Sequence, residues 1–390
     1  YNIYIIYLSQ NPTGGILMKF VCETSSLSVA CQNVQRAVST KSSIPGAEGI
    51  MIKTTVNGLS LTGYDLEIGI KTNIYAKVEE EGAIIINAKI LCEILRKIPN
   101  QTVIFESDER NLAVIRSGDI KYEIMGISAE EYPELPTVQG GFTINLNKKQ
   151  LEEMVKQTIF AVAVTDTKVV YTGIKFEISD NELKLIAVDG FRMAIRKEFI
   201  DYKGEDITFI VPAKTMNEII KISVEEENEE ETEISIGVGK RHIVFEVNGY
   251  SVISRLLEGE FLNYKQTIPT TAMTTVEVDT RSLIESIERT SLIITDRTKS
   301  LINCVFDTDF IRISSITSLG TASDKVSADV EGSRVEIGFN NRYFIEALRA
   351  CNTDRVKIIL NGAVSPILIL PTEGDSFTFL VLPVRLKKNA

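Results

Sequence analysis

INAKILCEIL (residues 86–95), VPAKTMNEII (211–220) and FNNRYFIEAL (339–348) align without a gap, at offsets of 125 and 128 residues. Each carries a base at its fourth position (Lys89, Lys214, Arg342) and a glutamate at its eighth (Glu93, Glu218, Glu346). The apolar residues Leu91, Ile94 and Leu95, then Met216, Ile219 and Ile220, then Phe344, Ala347 and Leu348 fall at i, i+3, i+4. That spacing lays one apolar stripe along a helix. Three such segments at near-equal spacing define an internal repeat of about 125 residues, present three times.

A second helical stripe lies between these: Leu27, Cys31 and Val34; Leu151, Met154, Val155 and Ile159; Leu283, Ile284 and Ile287. Each is followed by alternating apolar residues around a polar turn. Ile50 and Ile52 precede Asn57-Gly58, with Leu59 and Leu61 after it; Ile174, Phe176 and Ile178 precede Asp180-Asn181, with Leu183 and Leu185 after it. Cys304 and Phe306, then Ile311 and Ile313, flank Asp307–Asp309 in the same way. Alternation of period two around residues tolerant of positive φ predicts antiparallel hairpins. The fold class is therefore α+β. Each copy consists of two halves, one helix plus antiparallel strands, with the helices expected on one face of the sheets.

At 44% apolar and 24% charged residues the chain has the composition of a folded globular protein. Its net charge of −11 argues against phosphate binding by the chain as a whole, but EEENEEETE (225–233) alone holds seven glutamates and reads as a solvated loop. Five scattered cysteines without a CxxC pair predict reduced thiols in a cytosolic protein, not a disulfide framework or zinc site. No stretch approaches the roughly 18 apolar residues of a membrane span. Residues 1–17, opening YNIYIIYLSQ, lack the basic flank and cleavage site of a signal peptide. They are expected to lie upstream of the fold, with an extra β segment as the alternative.

Catalytic chemistry is missing. The single histidine, His242, sits between a basic pair and an alternating strand, and no Ser–His–Asp set, metal cluster, Walker loop or dinucleotide fingerprint can be assembled. Neither an enzyme nor a cofactor is expected. AVDGFRMAI (187–195) admits two readings. One is a tight hairpin at Asp189-Gly190; the other is an exposed Phe191–Arg192–Met193 edge suited to peptide capture.

With MKFVCE (18–23), EYPELP (131–136), AVDGFRMA (187–194), GEFLNY (259–264) and LVLPVRL (380–386), the chain resembles the bacterial DNA polymerase III β subunit, the sliding-clamp family, over residues 18–386. The resemblance implies three clamp domains (18–140, 141–269, 270–390) and a six-domain ring formed by a head-to-tail homodimer. It implies a non-catalytic processivity factor around duplex DNA, without sequence specificity, in the cytoplasm and away from membranes. Partners would be the replicative polymerase's catalytic subunit, the clamp loader and other proteins carrying clamp-binding motifs. A ring that slides needs phosphate contacts and no base reading. The helix-start bases Lys89, Lys214 and Arg342 suit that role, since the macrodipole disfavours cations there by about 0.3–1 kcal/mol and folding alone gives no reason to repeat them. Lys149 and Arg281 match them in the other helices, with Ser25 breaking the pattern. The resemblance adds Lys41. A solvated helix face is the plain alternative.

By the same resemblance a peptide pocket would be lined by Tyr171, Val188, Gly190, Phe191, Arg192 and Met193, and by Leu262, Gln266 and Thr267 of the linking segment. The third copy would add Asn340, Tyr343, Val364, Ser365 and Pro366, then Leu380, Val381, Leu382, Pro383, Val384 and Arg385. Phe191, Leu262 and Gln266 depart from the commoner His, Pro and Arg. Arg192→Ala is expected to weaken peptide binding without unfolding the chain. The dimer contact would join Tyr122 and Ile124, on an edge strand, to Leu292 and Ile293, at a helix end. A monomeric peptide-binding scaffold remains the competing reading, to which the net charge lends weight.

Overall fold

The computed structural model describes residues 16–138, 141–165, 167–222, 232–295 and 301–386. The acidic run 225–233 lies outside them except for Thr232 and Glu233, which leads into the strand Glu233–Val238. Of the expected extension, residues 1–15 lie outside as well. Ile16 and Leu17 do not belong to it: they open the strand Ile16–Glu23, and Ile16 is in register with Asp108.

All six predicted helices are present: α1 (Thr24–Val34), α2 (Ala88–Lys97), α3 (Lys148–Lys156), α4 (Ala213–Ile219), α5 (Thr280–Ser291) and α6 (Asn341–Ala350). Four start on a side chain that accepts an otherwise unpaired backbone N–H: Asn87 from Ile90, Asn147 from Gln150, Asp279 from Ser282, Asn340 from Arg342 and Tyr343. The stripes are buried as their spacing requires, with Leu27, Leu91, Leu151, Met216, Leu283 and Phe344 at 0–1% exposure. Ile284 and Ile220, the latter just past the end of α4, are only half-buried, and so is Ile159. Ile159 falls beyond α3, which ends at Lys156 with Gln157 as its C-cap, in a separate 3-10 turn, Ile159–Ala161, and the Thr158 hydroxyl between them donates to the Met154 carbonyl at 2.9 Å. The predicted turn at Asp180-Asn181 has φ of 51° and 62°, the left-handed pair that lets a two-residue hairpin follow strand twist.

The described residues form two units. In the first, a five-stranded sheet runs in the order Lys77–Glu80, Ile16–Glu23, Thr102–Asp108, Leu112–Ser117, Ile120–Met125. A second sheet runs through Ile127–Ser128, Ala83–Asn87, Gly49–Thr55, Gly58–Tyr64 and Ile68–Tyr75, then on into Tyr250–Arg255, His242–Val247 and Glu233–Val238. Its join is the antiparallel register Thr72↔Tyr250 to Ile68↔Ser254, which pairs a strand of the first repeat with one of the second. Asn33 of α1 donates to the Tyr250 hydroxyl beneath that join, at 3.0 Å.

The second unit contains α3 to α6 and one twelve-stranded sheet. Its order is Ile207–Pro212, Gly173–Ser179, Glu182–Val188, Arg192–Phe199, Phe377–Val381, Ile367–Pro371, Arg355–Leu360, Thr274–Asp279, Gly320–Gly332, Phe310–Thr317, Leu301–Asp307, Val335–Asn340. Here too the sheet passes from one repeat to the next, through Arg192↔Val381 to Arg196↔Phe377. Helices α5 and α6 pack side by side over a core that includes Phe306, Phe339, Phe344 and Phe379. All five cysteines are free and buried, and burial pushes the thiols of Cys22 and Cys92 up to about 12 and about 11. Among the described residues no helix is long and apolar enough to cross a membrane.

Candidate functional site

Where the second repeat's sheet meets the third's, side chains alternate between two faces. Ala187, Ala194, Ile367, Ile369, Phe379 and Val381 point into the core shared with α5 and α6. Ile186, Val188, Met193, Ile195, Leu368 and Leu380 form a separate apolar cluster on the other face. No residue of α3 to α6 joins this cluster. It is met instead by the linking segment through Phe261, Leu262, Tyr264 and Ile268, and by Tyr171. Tyr264 is anchored by its hydroxyl, which donates to Glu177 Oε2 at 2.6 Å, while Lys175 holds Glu177 Oε1 at 2.5 Å. Tyr171 meets Phe261 edge to face at 5.6 Å. Burial first, then the bond to Glu177, raises the Tyr264 phenol above its usual range and keeps it a donor.

At the margin of this face stand the exposed apolar side chains Phe191, Leu382 and Val364, at 58%, 37% and 76% exposure. Gly190 takes φ 85°, and Asp189 Oδ1 accepts the N–H groups of Phe191 and Arg192 at 2.9 and 3.0 Å, which closes the hairpin turn and projects Phe191 outward. The Leu382 N–H donates to the Phe191 carbonyl at 2.9 Å and the Val384 N–H to the Gly338 carbonyl at 2.8 Å, so the C-terminal segment lies along this edge. Of the remaining pocket residues, Gln266, Thr267 and Arg385 are exposed, and Ser365, Pro366 and Pro383 are half-buried.

Three of these residues are placed differently from the sequence reading. Arg192 and Met193 are not an exposed edge: they are 7% and 2% exposed. Met193 is turned into the apolar face by strand alternation. Arg192 is drawn in by charge, with Nε donating to Asp189 Oδ2 at 2.9 Å and Nη1 to Glu346 Oε2, and its guanidinium lies over the rings of Tyr343 (4.5 Å) and Phe160 (5.4 Å). Val381, at 0% exposure, points into the helix-side core. Asn340 is occupied in capping α6. Phe191 stacks on Tyr343, ring centroids 5.8 Å apart.

Glu346, Glu177 and Leu368 escaped the sequence reading of the pocket. Glu346 was visible only as the glutamate shared by the three repeats; its carboxylate accepts Arg342 Nε at 2.8 Å as well as Arg192. Burial acts to raise the Glu346 carboxyl, but the bonds from Arg342 and Arg192 outweigh it and hold it below the usual carboxylate range.

The six candidate DNA-facing bases are all exposed. Lys89, Lys149, Lys214, Arg281 and Arg342 each occupy the second residue of their helix, and Lys41 lies in the loop before Pro45–Glu48. Arg281 and Arg342 pair with Glu285 and Glu346 one turn on, each at 2.8 Å. Ile120–Met125 is an edge strand of its sheet, with Tyr122 at 37% exposure and Ile124 half-buried. Leu292, which caps the end of α5, is 82% exposed, and Ile293 beside it is half-buried. His242 is half-buried at the start of its strand; burial, then Arg255 and Arg241, lower its pKa. Among the described residues no group of three or more His, Cys, Asp or Glu side chains is placed to hold a metal.

Residues 18–136, 145–263 and 265–385 match, in that order, the family models for the N-terminal, central and C-terminal domains of the DNA polymerase III beta subunit. The chain belongs to that family, the β sliding clamps. The beta sliding clamp of Halalkalibacterium halodurans is 32% identical over 382 residues, covering 94% of this chain and 100% of that protein. The beta sliding clamp of Bacillus subtilis is 30% identical over 380 residues, with 94% and 100% coverage. The crystal structure of the DNA polymerase sliding clamp from B. subtilis superposes with a TM-score of 0.91 at 28% identity, over 95% of this chain and 100% of that one. The beta subunit from Thermotoga maritima does so with 0.87 at 26%, over 95% and 100%. As a sliding clamp the chain is a non-catalytic processivity factor, and the threefold repeat read from the sequence is its three clamp domains.

Proposed function

We propose that two copies of this clamp, each with domains bounded at 18–140, 141–269 and 270–390, close head to tail around duplex DNA in the cytoplasm. The exposed margin at Phe191, Leu382 and Val364, backed by the apolar sheet face at Val188, Met193, Leu368 and Leu380, then captures short peptides with apolar and aromatic side chains. Those peptides belong to the replicative polymerase, the clamp loader and other clamp-binding proteins. The observation that carries the reading is the exposed apolar margin: Phe191, Leu382 and Val364 stand open to solvent beside a sheet face on which no helix packs and which the linking segment covers. Apolar side chains gathered at one margin mark an interaction site rather than scattered surface exposure. The bases at the helix starts supply phosphate contacts that carry no sequence information, as sliding requires.

The test has two arms. Phe191→Ala and Leu382→Ala should each weaken binding of a labelled peptide with an apolar–aromatic core by about tenfold, the scale of an interface anchor, with an unchanged melting temperature. The loaded protein should stay on circular DNA and run off once the circle is cut. Equal peptide affinity in both variants would remove the peptide site; equal retention on cut and uncut DNA would remove the ring.

A further inference from the structure

Glu346 is held by two arginines that belong to different surfaces. Its Oε1 accepts Nε of Arg342, at the exposed start of α6; its Oε2 accepts Nη1 of Arg192, from the neighbouring repeat. The Arg342 side chain is 75% exposed and that of Arg192 is 8% exposed, so one arginine is open to a ligand and the other is fixed. Arg192 covers the Tyr343 ring at 4.5 Å, and Phe191 stacks on the same ring. An unbroken run of charge and ring contacts thus leads from an exposed base to the exposed ring at the peptide margin. The repeat places the same base and acid four residues apart at Lys89/Glu93 and Lys214/Glu218; in the third copy the acid has also been taken up by an arginine from the second.

We propose that Glu346 is a positioning residue for peptide capture, dividing its carboxylate between Arg342 and Arg192 so that a phosphate taken up by Arg342 tightens the peptide site. This rests on the reading of Arg342 as a DNA contact and of the Phe191 margin as a peptide contact. A phosphate on the Arg342 guanidinium competes directly with Glu346 Oε1. The released carboxylate turns its full charge on Arg192, where burial leaves the attraction less screened than at the exposed arginine. Arg192 is then held harder against Tyr343, the Phe191–Tyr343 stack is better preorganised, and less ordering remains to be done on binding. The coupling is reciprocal: bound peptide strengthens the phosphate contact by the same factor.

The test is a double-mutant cycle on the intact dimer, read as anisotropy of a fluorescein-labelled peptide with an apolar–aromatic core. Arg342→Gln should tighten the peptide about threefold without any DNA, the scale set by one partly exposed ion pair. In a Glu346→Gln background the same substitution should do nothing. A blunt mixed-sequence duplex should tighten the peptide on the unsubstituted dimer by a similar factor and leave the Arg342→Gln dimer unchanged. A purely structural role for Glu346 would lower affinity in every variant without this pairing of effects. Unchanged affinity on Arg342→Gln, or a shift that persists with Glu346→Gln, overturns the proposal. Failure of the underlying readings shows separately: Phe191→Ala without effect removes the peptide site, and unaltered salt dependence of duplex binding in Arg342→Gln removes the DNA contact.

Discussion

Arg192 and Phe191 are neighbours with opposite environments, and the difference decides which of them can be probed without harming the fold. Phe191 projects from a turn shaped by Gly190 and Asp189; Arg192 is held by Asp189 and Glu346 and covered by two rings. Removing one member of a buried ion pair strands the other, which costs about 3–5 kcal/mol when the partner is fully buried. Glu346 keeps 27% of its side-chain exposure, so part of that loss is recovered by water. Arg192→Ala should therefore lower stability by about 2 kcal/mol in urea denaturation, whereas Phe191→Ala should leave it within about 0.5 kcal/mol. An Arg192→Ala protein as stable as the parent would mean that Asp189 and Glu346 do not depend on the arginine. Of the two readings of AVDGFRMAI, the tight hairpin at Asp189-Gly190 is present, and of the exposed edge only Phe191 is. The sequence marks the turn but not the carboxylate 154 residues away that draws the side chain in.

At the scale of elements, the helices are the part most fully legible. Their stripes, their starts at Asn87, Asn147, Asp279 and Asn340, and the bases at their second positions are short-range patterns. The macrodipole cost of Arg281 and Arg342 is offset locally by Glu285 and Glu346 one turn on. Asp279 shows what a start contributes: its Oδ1 accepts the Ser282 N–H at 2.7 Å, and hydrogen bonds from Ser282 hold its carboxyl below the ordinary 3.8. Asp279→Ala should cost about 1 kcal/mol in urea denaturation at neutral pH. Because the folded pKa lies below the unfolded one, the contribution is complete above pH 3.8 and disappears as the pH falls through the depressed folded value. The gap between parent and variant should accordingly close in acid; a gap that persists there would assign the stabilisation to something other than the ionised cap.

At the scale of the whole molecule, sheets do not respect the repeats. Ile68–Tyr75 pairs with Tyr250–Arg255, and Arg192–Phe199 with Phe377–Val381, so each join between repeats is a run of backbone hydrogen bonds. The edge strand Ile120–Met125 is available for the same kind of pairing, and Leu292 offers apolar surface at the end of α5. If these form the ring's closing contact, Leu292→Asp should raise the dimer dissociation constant at least about tenfold in sedimentation velocity, by placing a charge where apolar area would be buried. Its urea midpoint at low concentration should match that of the dissociated parent. A dimer of undiminished strength would move the closing contact elsewhere.

The sequence by itself determined the threefold repeat, the α+β class, the helix stripes, the hairpin turns and the family resemblance, because each is written in spacing along the chain. Only the tertiary structure decided which strands join across repeats, which face of the joined sheet is left without helices, and that Arg192 is buried while Phe191 is not. Strand pairing and ion pairing between residues more than a hundred positions apart leave no local period to read. For the same reason Glu346, the repeat's eighth position, could be recognised in all three copies from the sequence, while its second arginine could not.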